Sequence, residues 1–284
     1  MFRNIANRIV NWIMLQKIFD VQQRNASNYF LHIEAGNAYI ALSASDKDKT
    51  ASRNFEFYGF GANDNFDAVL LQIKEQSLIL KQDYEYTKII WGNAYARYIP
   101  ASFYDESIND FIYDFIENDL SPQKKLLCKN DLCAIPFLVD ESKWNALHAA
   151  FPNAEDSHKY YEIITRLPDY SNDDKLQLLL IFYPNHFIIT AIKNSKLQFV
   201  NTVYFSSGTD VVYYCLNAVR QLNTSVSLCV VTLSGLIDGD STAYKEIYKY
   251  IQNIDVDTFE NGDFLKDNFS EHPAHFFVPF FKYA

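Results

Sequence analysis

Glycine is scarce in this sequence, with 8 in 284 residues, and none of them is followed by lysine. That removes the Walker A loop, and Gly59-Phe60-Gly61 is too short for a dinucleotide fingerprint. Positive charge is short as well: 25 Lys and Arg stand against 35 Asp and Glu, a net of −10. Phosphate backbones need basic side chains grouped on one face, and no such group occurs, which excludes a general nucleic-acid binder. No apolar run nears the ~20 residues that span a bilayer. Cysteine is limited to Cys128, Cys133, Cys215 and Cys229. The last two lie in apolar stretches and read as small buried hydrophobes. Cys128 and Cys133 lack the second pair, or nearby histidine, that would complete a zinc set, so no metal is expected. With no secretory signal, the expectation is reduced thiols and a cytoplasmic location. Neither Gly-x-Ser-x-Gly nor His-Glu-x-x-His occurs, and His272 and His275, separated by Pro273, read as surface or packing histidines. No catalytic residue is assigned.

What the chain has in abundance is aromatic side chains, 23 Phe and 20 Tyr, most of which must pack inside. It also carries an internal repeat. In the first half Asp67 opens the apolar stretch Ala68-Val69-Leu70-Leu71, and the β-rich run Thr87–Trp91 ends at Gly92. In the second half Asp210 opens Val211-Val212-Tyr213-Tyr214, and Val230–Ser234 ends at Gly235. Self-similarity at half the chain length points to one folding unit used twice, and therefore to two lobes with a cleft.

Residues 1–27 stand apart as an N-terminal extension. Through residue 26 they hold Arg3, Arg8, Lys17 and Arg24 against the single acid Asp20. Phe2, Ile5, Ile9, Trp12, Ile13 and Leu15 recur near helical spacing, which predicts an amphipathic helix that lies on a membrane or partner; the alternatives are a helix packed on its own domain and an ill-ordered extension. A first lobe over 28–150 follows: strands Tyr29–Ile33, Ala38–Leu42 and Asn54–Tyr58, a helix from Asp67 with Asp64 as N-cap, and the strand ending at Gly92. Further on are a short strand at Ala96–Ile99, a helix Ser107–Glu117, a strand Leu132–Val139 and a helix Glu141–Ala150. A second lobe over 151–284 repeats the order, with strands Leu176–Phe182, Phe187–Ile192 and Leu197–Val203. A helix capped by Ser207, a strand Leu228–Leu233 and a helix Ser241–Ile251 come next, and Ala274–Phe281 reads as a closing strand. Three meandering strands, a helix and a parallel strand is the ribonuclease-H-like order. Two such units in tandem give an α/β, actin-like arrangement of mixed sheets flanked by helices.

The second half also resembles a specific family. Leu197-Gln198-Phe199-Val200-Asn201, Asp210–Leu216, Gln221-Leu222, Leu233-Ser234-Gly235 and Lys249-Tyr250-Ile251 are similar to the domain of unknown function 3822 (DUF3822), known largely from Bacteroidetes. Phe151-Pro152 and His158 also fit. The resemblance spans most of residues 28–284 and implies an actin-like ATPase fold without an established chemistry.

Actin-like ATPases hold phosphate in two hairpin turns, one per lobe, each usually Asp-x-Gly. The glycine lets backbone amides approach phosphate and the acid handles the hydrated metal. Here the first turn is Glu34-Ala35-Gly36-Asn37. In the second, Phe182-Tyr183-Pro184-Asn185, the aligned acid has become Phe182 and the aligned glycine has become Pro184, which has no amide hydrogen. At the adenosine position one glycine remains, Gly235. Glu34, Gly36 and Gly235 are thus the only cofactor-binding candidates, and Glu34 reads first as a solvated hairpin residue. Asp238 and Asp240 read as turn and cap residues. The favoured reading is a degenerate actin-like protein without a cofactor that binds another protein, as related actin-like proteins dock tails of membrane assemblies. The alternatives are an ATP- and magnesium-dependent protein with an unorthodox site, and a structural homodimer. Phe182 and Tyr183 predict a cleft filled by aromatic rings.

Overall fold

The computed structural model describes residues 15–22, 29–47, 53–116, 122–167, 175–259 and 272–284. Its frame is two sheets built in the same order. The first is made of β1 (Gln16–Val21), β2 (Phe30–Ala35), β3 (Tyr39–Ser45), β4 (Arg53–Gly59), β5 (Tyr86–Trp91) and β9 (Glu155–His158), arranged β1-β4-β3-β2-β5-β9. The second is made of β10 (Leu176–Phe182), β11 (His186–Lys193), β12 (Lys196–Tyr204), β13 (Cys229–Gly235) and β14 (Ile254–Val256), arranged β12-β11-β10-β13-β14. In each, a three-stranded antiparallel meander is followed by strands parallel to its first member, β2 with β5 and β10 with β13. This is the duplicated ribonuclease-H-like, actin-like fold.

Between β5 and β9 the chain inserts a small sheet of β6 (Ile99–Pro100), β7 (Gln123–Lys129) and β8 (Cys133–Asp140), arranged β6-β8-β7. Helices α2 (Asn109–Ile116) and α3 (Glu141–Ala150) accompany it. β9, four residues long, then returns to the first sheet beside β5, so that sheet takes its last strand from beyond the 150/151 boundary expected from sequence. The short helix α4 (Lys159–Ile164) follows it directly.

Local chemistry explains most boundaries. Helix α1 (Phe66–Gln76) begins at Asn65, whose side chain accepts from the Ala68 amide. The expected cap, Asp64, instead accepts from the Gly61 amide and closes the preceding turn. Helix α5 (Gly208–Gln221) has a full capping box, with the Ser207 hydroxyl and the Asp210 carboxylate each taking the other's backbone amide. Helix α6 (Thr242–Tyr250) is capped by Ser241. Asn194 and Ser195 both adopt positive φ, 51° and 59°, the two-residue hairpin turn that suits strand twist.

Two expectations are corrected. Gln16–Val21, placed in an amphipathic helical extension, is an edge strand paired with β4. Lys17, Phe19 and Val21 alternate along it, Phe19 enters the core, and Lys17 pairs with the fully buried Glu56 at 3.1 Å. The rest of the predicted extension, residues 1–14 and 23–27, lies outside the described residues. Ala274–Phe281, expected as a strand, is a 3₁₀ turn leading into a short helix, α7 (Val278–Phe281). Pro273 and Pro279 offer no amide to a ladder, and Pro279 sits in a first helical turn, where none is needed.

The core explains why the two sheets act as one body. One apolar cluster covers the second sheet's helix-facing side with α5 and α6, including Phe182, Phe187, Val211, Cys215 and Ile247. The other runs from the first sheet through Phe277, Phe280 and Tyr283 to Leu179, Ile181 and Ile188 of the second. The C-terminal segment is therefore a wedge between the lobes, anchored by the Ser43 hydroxyl donating to the Phe280 carbonyl at 2.9 Å.

Candidate functional site

The two hairpin turns that would hold phosphate can be equated through their hydrogen bonds. Gly36 N donates to Tyr39 O, and Tyr183 N donates to His186 O. Ala35 pairs with Ile40 just as Phe182 pairs with Phe187. The equivalent pairs are thus Gly36 with Tyr183 and Tyr39 with His186, one position away from the alignment read from sequence. The acid's counterpart is then Ile181 rather than Phe182, and the glycine's is Tyr183 rather than Pro184. A one-residue slip reverses which face a side chain meets: Phe182 packs beneath the sheet against Phe187 and Phe205, and only Tyr183 enters the space between the lobes. The repeat carries the same offset, since Asp67 is the second residue of α1 and Asp210 the third of α5.

Glu34, expected to be solvated, is 3% exposed. Its Oε1 accepts from Tyr39 OH at 2.8 Å and Tyr183 OH at 2.6 Å. Its Oε2 accepts from Lys159 Nζ at 2.6 Å. Lys159 is fully buried, and its other two protons go to the carbonyls of Pro279 at 2.7 Å and Tyr283 at 3.0 Å. Every donor of the ammonium is matched, which is the condition for a buried charge to persist. The cluster joins β2, β3, α4, the turn after β10 and the C-terminal segment, so both lobes and the wedge meet at one carboxylate. Burial and the adjacent Glu34 charge hold the Tyr39 and Tyr183 hydroxyls protonated, well above the usual phenol range. Burial lowers the Lys159 ammonium from its ordinary value, against the opposing pull of Glu34.

Above the carboxylate the rings stack. Tyr39 and Tyr183 lie 5.1 Å apart at 28°, and Tyr183 and His186 lie 4.6 Å apart at 6°. A side chain on Gly36 would meet the Tyr39 ring at 2.0 Å, and one on Gly92 would meet the Tyr39 hydroxyl at 2.3 Å. Gly36 thus makes room for the Tyr39 ring. Gly235 has φ +79° and a Cβ there would strike the Phe182 carbonyl at 2.3 Å, so it serves the close approach of β13 and β10. Of the three sequence candidates, Glu34 and Gly36 converge on the tyrosine cluster, while Gly235 flanks Phe182 one residue away from it.

Set against a nucleotide, these residues do not fit. The Gly36 amide is spent on Tyr39 O, the Glu34 oxygens are taken by three donors, and Tyr183 stands where a second glycine would. Lys159 and Tyr39 escaped the sequence reading. Lys159 carried one signal, a lysine directly ahead of Tyr160-Tyr161-Glu162-Ile163-Ile164, a segment apolar or aromatic but for Glu162; Tyr39 carried none, since an aromatic at a strand start looks like core. A second buried acid, Glu162, lies nearby on α4. Burial pushes it up, but Lys88, Arg166 and the Ser157 hydroxyl outweigh that and hold it at about 2. Next to Lys159, His158 donates from one ring nitrogen to Asn93 O and accepts the Tyr160 amide on the other. Burial lowers it to about 3, against the opposing pull of the Asn93 carbonyl. Among the described residues no group of three His, Cys, Asp or Glu is gathered that could hold a metal.

The fold and this closed junction define an actin-like two-lobed protein whose two hairpin turns meet through side chains. More particularly, the model for proteins of unknown function DUF3822 matches residues 19–254, and the chain belongs to that family. Among solved structures, a Bacteroides thetaiotaomicron protein with actin-like ATPase fold and unknown function is 17% identical to it. The TM-score is 0.68, and the match covers 81% of this chain and 90% of that one. A chain from a PilM–PilN type IV pilus biogenesis complex is 11% identical with a TM-score of 0.52, covering 89% of this chain and 97% of that one. No curated protein matches. Among the described residues no helix is long and apolar enough to cross a membrane.

Proposed function

We propose that this protein is a non-catalytic, actin-like scaffold that works by binding another protein. The observation that carries the reading is the closure of the phosphate position by Tyr39 and Tyr183, both bonded to Glu34. Phosphoryl transfer depends on open turns whose amides and metal stabilise charge on the transferred group. A side-chain junction that fastens one lobe to the other suits a protein that presents a fixed surface. The similarity to a chain from a PilM–PilN complex agrees with a protein partner for this fold. In this reading no cofactor is bound, and Glu34, Gly36 and Gly235 are structural.

Titration calorimetry with ATP and ADP, each with magnesium, tests it. The expected result is no heat at millimolar nucleotide and no change in Tm. Micromolar binding that disappears in Glu34→Ala would overturn the reading and restore the ATP-dependent alternative.

A further inference from the structure

Among the described residues, strand β12 is the outer strand of the second sheet, and the edge it leaves unpaired there borders a groove of about 590 Å³. The floor is Phe199 of β12 and Tyr214 of α5; the opposite wall is Ala96, Arg97 and Tyr98 from the insertion of the first lobe. An open strand edge pairs readily with another chain, and natural proteins guard against this with short strands, bulges and charge. β12 is nine residues long, only its Lys196 end carries charge, and its bulge, at Gln198, leaves 199–204 in regular register with β11. The lining is polar of one kind, with Gln198, Asn201, Asn217 and Gln221 bringing carboxamides. Those of Asn201 and Gln221 bond to nothing among the described residues. Carboxamides both donate and accept, which suits a peptide backbone. The chain has 35 acids against 25 bases, yet among the described residues the groove is lined by no acid and its one charge is Arg97.

Beside the groove lies exposed aromatic surface. Phe111 and Phe115 of α2 are 74% and 73% exposed, one helical turn apart and so on one face. The Arg97 guanidinium stands 6.0 Å from the Phe115 ring, so groove and aromatic surface are continuous. Exposed rings of this size on a helix mark interaction surfaces.

We infer that the free edge of β12 is the docking strand for an extended acidic segment of a partner protein. The segment adds to the sheet by main-chain hydrogen bonds, places a carboxylate on Arg97 and sets an apolar side chain against Phe115. This rests on the partner-binding reading and gives it a location. Strand addition supplies affinity through the backbone, and the side-chain contacts supply selectivity. The charge pair is exposed to solvent, so binding weakens as salt rises.

The test selects a displayed library of random dodecapeptides on the wild-type protein and measures the enriched peptides by fluorescence anisotropy. Enrichment of acidic, proline-free sequences is expected. Arg97→Glu weakens them at least tenfold, Phe115→Ser weakens them several-fold, and hydrogen exchange across 196–204 slows in the complex. Both substitutions are at exposed side chains, and an unchanged circular dichroism spectrum verifies that each variant folds. Absence of enriched peptides overturns the inference, as does binding indifferent to Arg97→Glu or protection confined to another surface. A doubled solution mass with 196–204 protected, and no peptide bound, also overturns it, assigning the edge to a second copy. Binders that map elsewhere refute the groove while leaving the partner reading intact; magnesium–ATP binding in the calorimetry refutes that reading whatever the peptides do.

Discussion

Lys159→Met is the sharpest perturbation of the inter-lobe junction. The substitution keeps most of the side-chain volume but removes an ammonium that donates to Glu34, Pro279 O and Tyr283 O. Glu34 is then left buried with two phenol donors and no counter-charge, and two carbonyls of the wedge lose their donor. Breaking a buried pair from one side costs about 3–5 kcal/mol, a large fraction of a typical stability of roughly 5–15 kcal/mol. Glu34→Gln leaves the opposite charge stranded and should cost a similar amount. The double variant has no buried charge, and its new carboxamide oxygen still accepts from both tyrosines, so its loss should not exceed the worse single variant. Urea denaturation at pH 7 reads all four corners of the cycle, with an expected coupling of about 3 kcal/mol or more, the smaller of the two single losses. Glu34→Gln should also depend on pH. The buried Lys159 already sits below its ordinary value, and losing Glu34 removes the main influence raising it. Stability lost at pH 7 is then recovered in part as pH rises towards the unfolded lysine value. Hydrogen exchange in Lys159→Met should quicken across 274–284, the segment the ammonium holds. A cost below about 1 kcal/mol for Lys159→Met, or single-variant losses that simply add, would refute the junction as a coupled unit.

Two further outcomes follow from buried and capping groups. His158 is held neutral at about 3 against a reference of 6.5, and His186 at about 4, both through burial. An unfolded chain takes up those protons first, so stability should fall as pH drops from about 6.5 towards 3, by up to ~1.4 kcal/mol per pH unit for each histidine. Glu162 adds to this only below its ordinary 4.5, and His158→Gln should flatten the slope by about half above pH 5; an unchanged slope in denaturation midpoints would place the effect elsewhere. Ser207→Ala removes the hydroxyl that accepts the Asp210 amide and should cost about 1 kcal/mol in the same urea assay, with no change refuting the cap.

The division between what sequence conveyed and what folding decided is visible residue by residue. Strand Leu176–Phe182, helix Glu141–Ala150 and the Ser207 cap were legible because their signals are local: an unbroken apolar run, an apolar face ahead of a proline break, a serine three residues before an acid. Doubling of the meander–helix–strand order conveyed the fold for the same reason, since each unit reads on its own. The last strand of the first sheet, Glu155–His158, was not legible, because a four-residue strand placed by a parallel neighbour distant in sequence has no periodicity to detect. Gln16–Val21 falls within the helical expectation because apolar residues of the preceding segment blur a six-residue alternation that only pairing with β4 resolves. The site shows the limit most clearly. That Gly36 stands in the first turn was plain from the sequence; that Tyr183, and not Pro184, is its counterpart in the second needed the strand pairing. That Glu34 is a buried anion could not be read there, because its burial depends on Tyr39 five residues ahead, Tyr183 in the other lobe, and Lys159 far along the chain. The charge of a carboxylate is a property of its sequence position; whether it meets water or an ammonium depends on long-range contacts that exist only once the two lobes and the C-terminal wedge have packed together.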